Sequence, residues 1–203
     1  MTIKKILHPK LEFKNLSYGF FTRRGGCSKP PYDSLNCSFN VEDNKDDVLE
    51  NLNLVCNQLK LEKLIKLNQI HSSKVFVVHN KDNIINNIQA DGLVTKLKGV
   101  GLSILGADCA PILFYDKISE IIGACHAGWR GTINGIIEAT ITSMENLGAN
   151  RNNIISIIGP TIQKEPYEIK KDVAHLVKKT EFYKQNHSML FEISDDKYLF
   201  DLP

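Results

Sequence analysis

The sequence predicts an α+β fold in which helices pack on mixed β-sheets. Two observations carry that prediction. Short apolar stretches follow one another between Lys74 and Cys125, separated by Gly, Asp, Asn and Lys, as strands are. Helical periodicity lies before and after that run instead of alternating with it, which argues against a doubly wound parallel sheet.

Taken in order, the first helix is signalled from Asp43. Asp43, Asn44, Asp46 and Asp47 supply cap and first-turn acids, and Val48, Leu52, Val55 and Leu59 recur at helical spacing. The strands expected next are VFVV (75–78), GLVT (92–95), VGLSIL (100–105), PILFY (111–115) and EIIGAC (120–125). After Arg130 one helix is expected, with Ile133, Ile136, Ile137, Thr140, Ile141, Met144 and Leu147 on one face, Thr132 as its cap and Gly148 at its end. A buried strand, IISIIG (154–159), and a helix over about 170–178 complete the set. The Gly-, Pro- and Ser-rich stretch 23–38 reads as a folded loop.

Composition narrows the function. The chain has 203 residues, and 25 basic against 23 acidic residues give no electrostatic case for nucleic acid. The lysines near Lys170 and Lys178 read as a solvated helix face. No apolar run is long enough to span a bilayer, and His8 and Pro9 interrupt the start before a signal-peptide core develops. Five cysteines without an export signal fit reduced thiols in a cytoplasmic protein.

Three residues at expected strand edges are candidates for chemistry: His71 in NQIHSS, Cys109 in GADCAP and His126 in CHAGWRG. They are far apart in the chain, so any site they form is assembled by the fold. Two imidazoles and one thiolate suit zinc with a fourth position for water or substrate, and zinc brings bound water to a pKa of about 7. Asp91 and Asp108 are candidate orienters or proton carriers. The same atoms also suit a Cys–His pair, with Cys109 as nucleophile and either histidine as base, and spacing does not separate the two. Arg23 and Arg24 precede two glycines whose amides can cradle an anion. Arg130 is a further anion candidate, and Trp129 reads first as a packing residue. Adjacent strand residues point to opposite faces, so His126 is expected to face the site and Cys125 the core.

The segments FTRRGGCS, SLNCSFNVEDN, NQIHSSKV, ADGLVT, GADCAPILF, CHAGWRGT and IGPTIQKEPYEI, in that order, resemble the YfiH-like family, formerly labelled polyphenol oxidase or laccase-like. The resemblance runs from about Tyr18 to the C-terminus. It implies helix, sheet, sheet, helix layers in a single domain over residues 1–203, and a zinc site of His71, Cys109 and His126. It also implies phosphorolysis of adenosine, inosine, guanosine and methylthioadenosine, and deamination of adenosine, with purine nucleosides and phosphate as partners. Arg23 falls on the arginine of the family's TR-x-GG element, which gives it the phosphate role with Arg130. Asn36 of the LN element joins them as a binding residue. The protein is expected to be a monomer or small homo-oligomer.

The sequence departs from the family at several places. Phe39 and Asn40 stand where many relatives carry a histidine, Cys125 replaces an aliphatic residue, and Gln163, Lys164 and Glu165 alter a glycine-containing turn. The chain ends at FDLP, where a further C-terminal segment is usual for the family. A nucleoside-binding protein without turnover and a Cys109 hydrolase or amidase remain alternatives. A copper-dependent polyphenol oxidase is disfavoured, because moving several electrons takes more than the one ligand set found.

Overall fold

The computed structural model describes residues 3–81 and 87–201. The elements, in chain order, are β1 (Lys5–Ile6), β2 (Phe20–Phe21), α1 (Lys45–Leu59), β3 (Lys63–Ile65), β4 (Val75–Val78), β5 (Gly92–Thr95), β6 (Val100–Leu102), β7 (Ala110–Asp116) and β8 (Ile121–Ala127). They continue with α2 (Trp129–Ile133), α3 (Ile136–Asn146), β9 (Ile154–Ile158), β10 (Glu168–Lys170), α4 (Lys171–Lys178), α5 (Glu181–Gln185), β11 (Leu190–Ser194) and β12 (Lys197–Phe200). Leu202 and Pro203, with which the sequence closes, lie outside the described residues.

The central sheet has the order β4-β5-β8-β7-β9, with β4 and β5 parallel and the other pairs antiparallel. Strand alternation divides its two faces. Ile112, Phe114 and Cys125 point to one side, where Ile136 and Met144 of α3 close the core. On the other side Leu93 and Val78 pack against Ile65 and Val100 of the parallel pair β3–β6, over which α1 lies. The order α3, central sheet, β3–β6, α1 is the helix, sheet, sheet, helix layering. A third sheet, β10-β12-β11, encloses its own cluster of Ile169, Ala174, Val177, Tyr198 and Phe200, and Trp129 and Ile133 pack against that cluster.

The expected strands form, but one is shortened, and Ile154–Ile158 is not buried as expected: it is an edge strand, with Ser156 and Ile158 exposed. The run 100–105 pairs only as far as Leu102, because the Gln69 amide then takes over. Its Nε2 donates to the Leu105 carbonyl at 2.8 Å and its Oε1 accepts from the Leu105 amide at 2.8 Å. The single helix expected after Arg130 is two helices, broken at Gly135, whose φ of 81° is left-handed. Thr132 is not its cap: Gly128 holds that position, and the Thr132 hydroxyl donates back to the Gly128 carbonyl at 3.0 Å. Gly148 (φ 110°) does end α3 as expected.

Candidate metal centre

Three separate elements deliver the ligands. His126 is the next-to-last residue of β8, and Cys109 immediately precedes β7. His71 lies in the turn before β4, with a left-handed φ of 57°. Their ligand atoms lie within 4.8 Å of one another, and the two imidazoles meet edge to face with centroids 4.8 Å apart. Cys125 points the other way, fully buried under α3, and all five cysteines are free thiols. Burial pushes the Cys125 thiol up to about 12, so it is a packing group.

Asp91 organises the centre. It is wholly buried just before β5, and its carboxylate accepts from the amides of Ile70 (3.2 Å), His71 (3.0 Å) and Ser72 (2.6 Å) and from the Ser72 hydroxyl (2.8 Å). The three consecutive amides hold the strained turn that presents His71. Asp91 Oδ1 also stands 2.9 Å from His126 Nδ1. Burial alone raises the carboxyl pKa, but the bond to His126 and those from Ser72 and Ile70 outweigh it and hold Asp91 below the usual carboxylate range. An ionised Asp91 can only accept, so it fixes the proton of His126 on Nδ1 and leaves Nε2 as a lone-pair donor.

Two glycines of HAGWRG are explained by close approach. A Cβ on Gly128 would stand 2.9 Å from Cys109 Sγ and 3.0 Å from His71 Cδ2, and one on Gly131 would stand 3.1 Å from the Ser72 carbonyl. Two imidazoles and a thiol, one imidazole with its tautomer set by a buried carboxylate, form a donor set that fits a zinc-like cation.

The other expected site residues divide. Asp108 is exposed, and among the described residues its carboxylate accepts no hydrogen bond, so it orients neither histidine. Its carbonyl accepts from Thr161 Oγ1 (2.7 Å) and the Ile162 amide (2.9 Å). Arg130 is exposed, with its guanidinium over the Trp129 ring at 4.6 Å. Arg23 is also exposed, and its carbonyl accepts from Ser34 and Leu35. The Gly25 and Gly26 amides donate to Ser34 Oγ at 2.9 and 3.2 Å, so they form a turn within the loop and no cradle for an anion. Asn36 is likewise committed within its loop, donating to Asp43 Oδ2 (2.8 Å) and accepting from the Ser38 amide (3.0 Å).

The sequence did not single out Asn51, Gln69 or Tyr167. Asn51 is fully buried on α1 and pins the 23–38 loop, donating to Ser28 Oγ (2.8 Å) and the Asn36 carbonyl (2.8 Å) and accepting from the Cys27 amide (2.9 Å). Tyr167 is half-buried and electrostatically coupled to Cys109, Asp108 and Arg130. An apolar cavity of about 250 Å³ lies between the sheets, lined by Phe13, Leu64, Leu113 and Tyr115 among others, and none of the three ligands borders it.

Fold and site together define an α+β protein in which two histidines and a cysteine that could hold a metal ion meet at the strand ends of its central sheet. Residues 17–203 match the family model described as multi-copper polyphenol oxidoreductase laccase, and the chain belongs to that family, which takes in the YfiH and DUF152 proteins. A purine nucleoside phosphorylase of Rickettsia prowazekii is 32% identical, aligned over 94% of this chain and 75% of its own length. One from Deinococcus radiodurans is 40% identical over 82% of this chain and 65% of its own. The crystal structure of a Neisseria meningitidis DUF152 protein superposes with a TM-score of 0.84 at 30% identity, over 98% of this chain and 78% of that one. Bacillus licheniformis YfiH gives 0.81 at 28% identity, over 91% and 72%. Several relatives are thus matched over less than two thirds of their own length, such as Bacillus subtilis YlmD at 63%. Among the described residues no helix is long and apolar enough to cross a membrane.

Proposed function

We propose that this protein is a zinc-dependent purine nucleoside phosphorylase that also deaminates adenosine. The observation that carries the reading is the convergence of His71, Cys109 and His126 around the buried Asp91 anchor, in a family whose members include proteins named purine nucleoside phosphorylase. Adenosine, inosine, guanosine and methylthioadenosine are the expected nucleosides, with phosphate as co-substrate. His71, Cys109 and His126 would hold the ion, which supplies Lewis acidity and an open position for water or substrate.

The chain's own residues supply the rest. Asp91 accepts from Nδ1 of His126, which turns Nε2 toward the ion, and holds the His71 turn in place. Arg130, whose guanidinium is exposed above Trp129, suits a phosphate oxygen, and Arg23 is its proposed partner. Asp108 is the exposed carboxylate next to the centre and is suited to carry protons.

A Cys109 nucleophile is the less favoured reading. Burial first, then the fields of Asp108 and Asp91, raise the pKa of this thiol, the opposite direction from an activated nucleophile. A cation beside the sulfur reverses that direction. The test is to incubate purified protein with nucleoside and phosphate and separate the products by chromatography, with metal analysis alongside. Release of free base and ribose phosphate with about one zinc per chain is expected; phosphorolysis that survives complete metal removal would overturn the zinc assignment.

A further inference from the structure

Each pair of the three candidate ligands is joined by a device of its own. Cys109 and His126 are joined by the β7–β8 ladder, in which Ala110 pairs with Ala127 and Pro111 with His126. His71 and His126 are joined through Asp91, which accepts from the His71 amide and from His126 Nδ1. The side between His71 and Cys109 falls to Gln69. Its Nε2 donates to the Leu105 carbonyl at 2.8 Å, and its Oε1 accepts from the Leu105 amide at 2.8 Å. Among the described residues no other hydrogen bond joins residues 66–73 to residues 103–109.

Gln69 acts where backbone pairing has run out. The β3–β6 ladder ends at Ile65 and Leu102, and one more bond follows, from the Ser103 amide to the Ile65 carbonyl at 2.9 Å. A primary amide carries a donor and an acceptor side by side, so it takes both backbone groups of Leu105 as an opposite strand residue would. The end that carries Gln69 is itself fixed. The Asn68 amide donates to the Ile88 carbonyl at 2.8 Å, and Asp91 takes the amides of Ile70, His71 and Ser72. Leu105 is therefore the end being placed, and it leads into a tight turn: a Cβ on Gly106 would stand 3.0 Å from the Cys109 carbonyl.

We propose that Gln69 is a positioning residue for the ion, its amide holding the Cys109 turn against the His71 segment so that the thiolate and both imidazoles close on one cation. This rests on the metal reading above. With the turn unclipped on that side, a cation would be left to two imidazoles, one ligand short of a three-ligand site. The amide is also specific. A carboxylate in its place accepts from the Leu105 amide but has no proton for the Leu105 carbonyl.

Cobalt(II) reads the cysteine directly, because a bound thiolate adds a charge-transfer absorption that imidazoles alone do not give. The full chain, Gln69→Leu and Gln69→Glu are each titrated with cobalt, and with zinc against a competing chelator. Melting temperatures of the metal-free proteins are taken alongside. In both variants the thiolate band per bound cobalt should weaken or vanish, and zinc affinity should fall by about tenfold or more. Gln69→Glu keeps the side-chain length and one of the two bonds, so it reads the clip if Gln69→Leu does not fold. A purely structural role would lower the metal-free melting temperature and leave the band per bound cobalt at its wild-type strength. That outcome overturns the inference, as does wild-type zinc affinity in both variants. A wild type that binds cobalt without a thiolate band removes Cys109 from the site, and one that binds neither ion removes the metal reading. Either result also overturns the inference, on grounds separate from the variants.

Discussion

Asp91 Oδ1 lies 2.9 Å from His126 Nδ1, and both side chains are almost wholly buried. The same carboxylate caps the amides of Ile70, His71 and Ser72, so one buried anion positions two of the three residues proposed to hold the metal. Asp91→Asn puts an amide group among these donors and frees the His126 tautomer. Metal affinity should fall about 10–100-fold, as for other partners that orient a metal-binding histidine. Stability should fall by roughly 2–3 kcal/mol through the unpaired buried donors. Competitive chelator titration and thermal melts measure the two effects; unchanged metal affinity would show that His126 needs no anchor.

Cys109 and Cys125 offer a contrast built on strand geometry. Cys109→Ala removes a ligand and should abolish both metal retention and phosphorolysis. Cys125→Ala opens a small void under α3 and should cost on the order of 1 kcal/mol while leaving the metal in place. In the native state a thiol reagent should modify the exposed Cys27 and spare Cys125. Metal loss in Cys125→Ala without unfolding would mean that the two faces of β8 have been read the wrong way round.

The central sheet was legible because its strands are apolar runs bounded by turn residues, and α1 and α4 because their stripes recur at helical spacing. Strands β11 and β12 were not, since β11 is exposed along most of its length and has no alternation to read. Among the candidate site residues, His71, Cys109 and His126 converge from three segments, with Asp91 beside His126. The partners of Asn36 and of the Gly25–Gly26 amides, Asp43 and Ser34, were not legible because they are set by how the loop folds. Asn51 left only a polar gap in a helical stripe, and neither it nor Tyr167 has a local pattern that reveals its tertiary partners.

Asn51 carries the 23–38 loop on α1, and Gly26 leaves it room: a Cβ there would stand 2.2 Å from Asn51 Oδ1 and 2.3 Å from the Ser34 carbonyl. Asn51→Ala strands the Cys27 amide and the Ser28 hydroxyl, and should destabilise by about 2–3 kcal/mol. Because the loop also carries Arg23, proteolysis near residues 23–38 should quicken in the variant. A melting temperature and cleavage rate equal to wild type would refute the pinning role.

Gly128 separates the metal centre from the fold. Its φ of −77° suits any residue, so Gly128→Ala brings no backbone strain, only a methyl group 2.9 Å from Cys109 Sγ and 3.0 Å from His71 Cδ2. The variant should fold with a nearly unchanged melting temperature and lose at least tenfold in metal affinity as the two ligands are pushed apart. Full metal content at wild-type affinity would show that the ligands have slack which the close approach denies.

Acid should release the same anchor. Asp91 and Asp116 are both buried and both held below the usual carboxylate value of 3.8, burial being outweighed by the donors to Asp91 and by the Asn150, Ile118 and Ser119 amides at Asp116. A folded pKa below the unfolded one gives stability that is fully present above the unfolded value and is lost as pH falls through the folded one. Denaturant unfolding should therefore show stability nearly flat from neutral pH toward 5, then falling steeply below about 4. Asp116→Asn should flatten that acid limb without affecting metal binding, because among the described residues its carboxylate bonds only the 118–119 turn and the Asn150 amide. Asp91→Asn should flatten it too, but with the loss of metal affinity argued above. An acid limb as steep in both variants as in the wild type would place the titrating groups elsewhere.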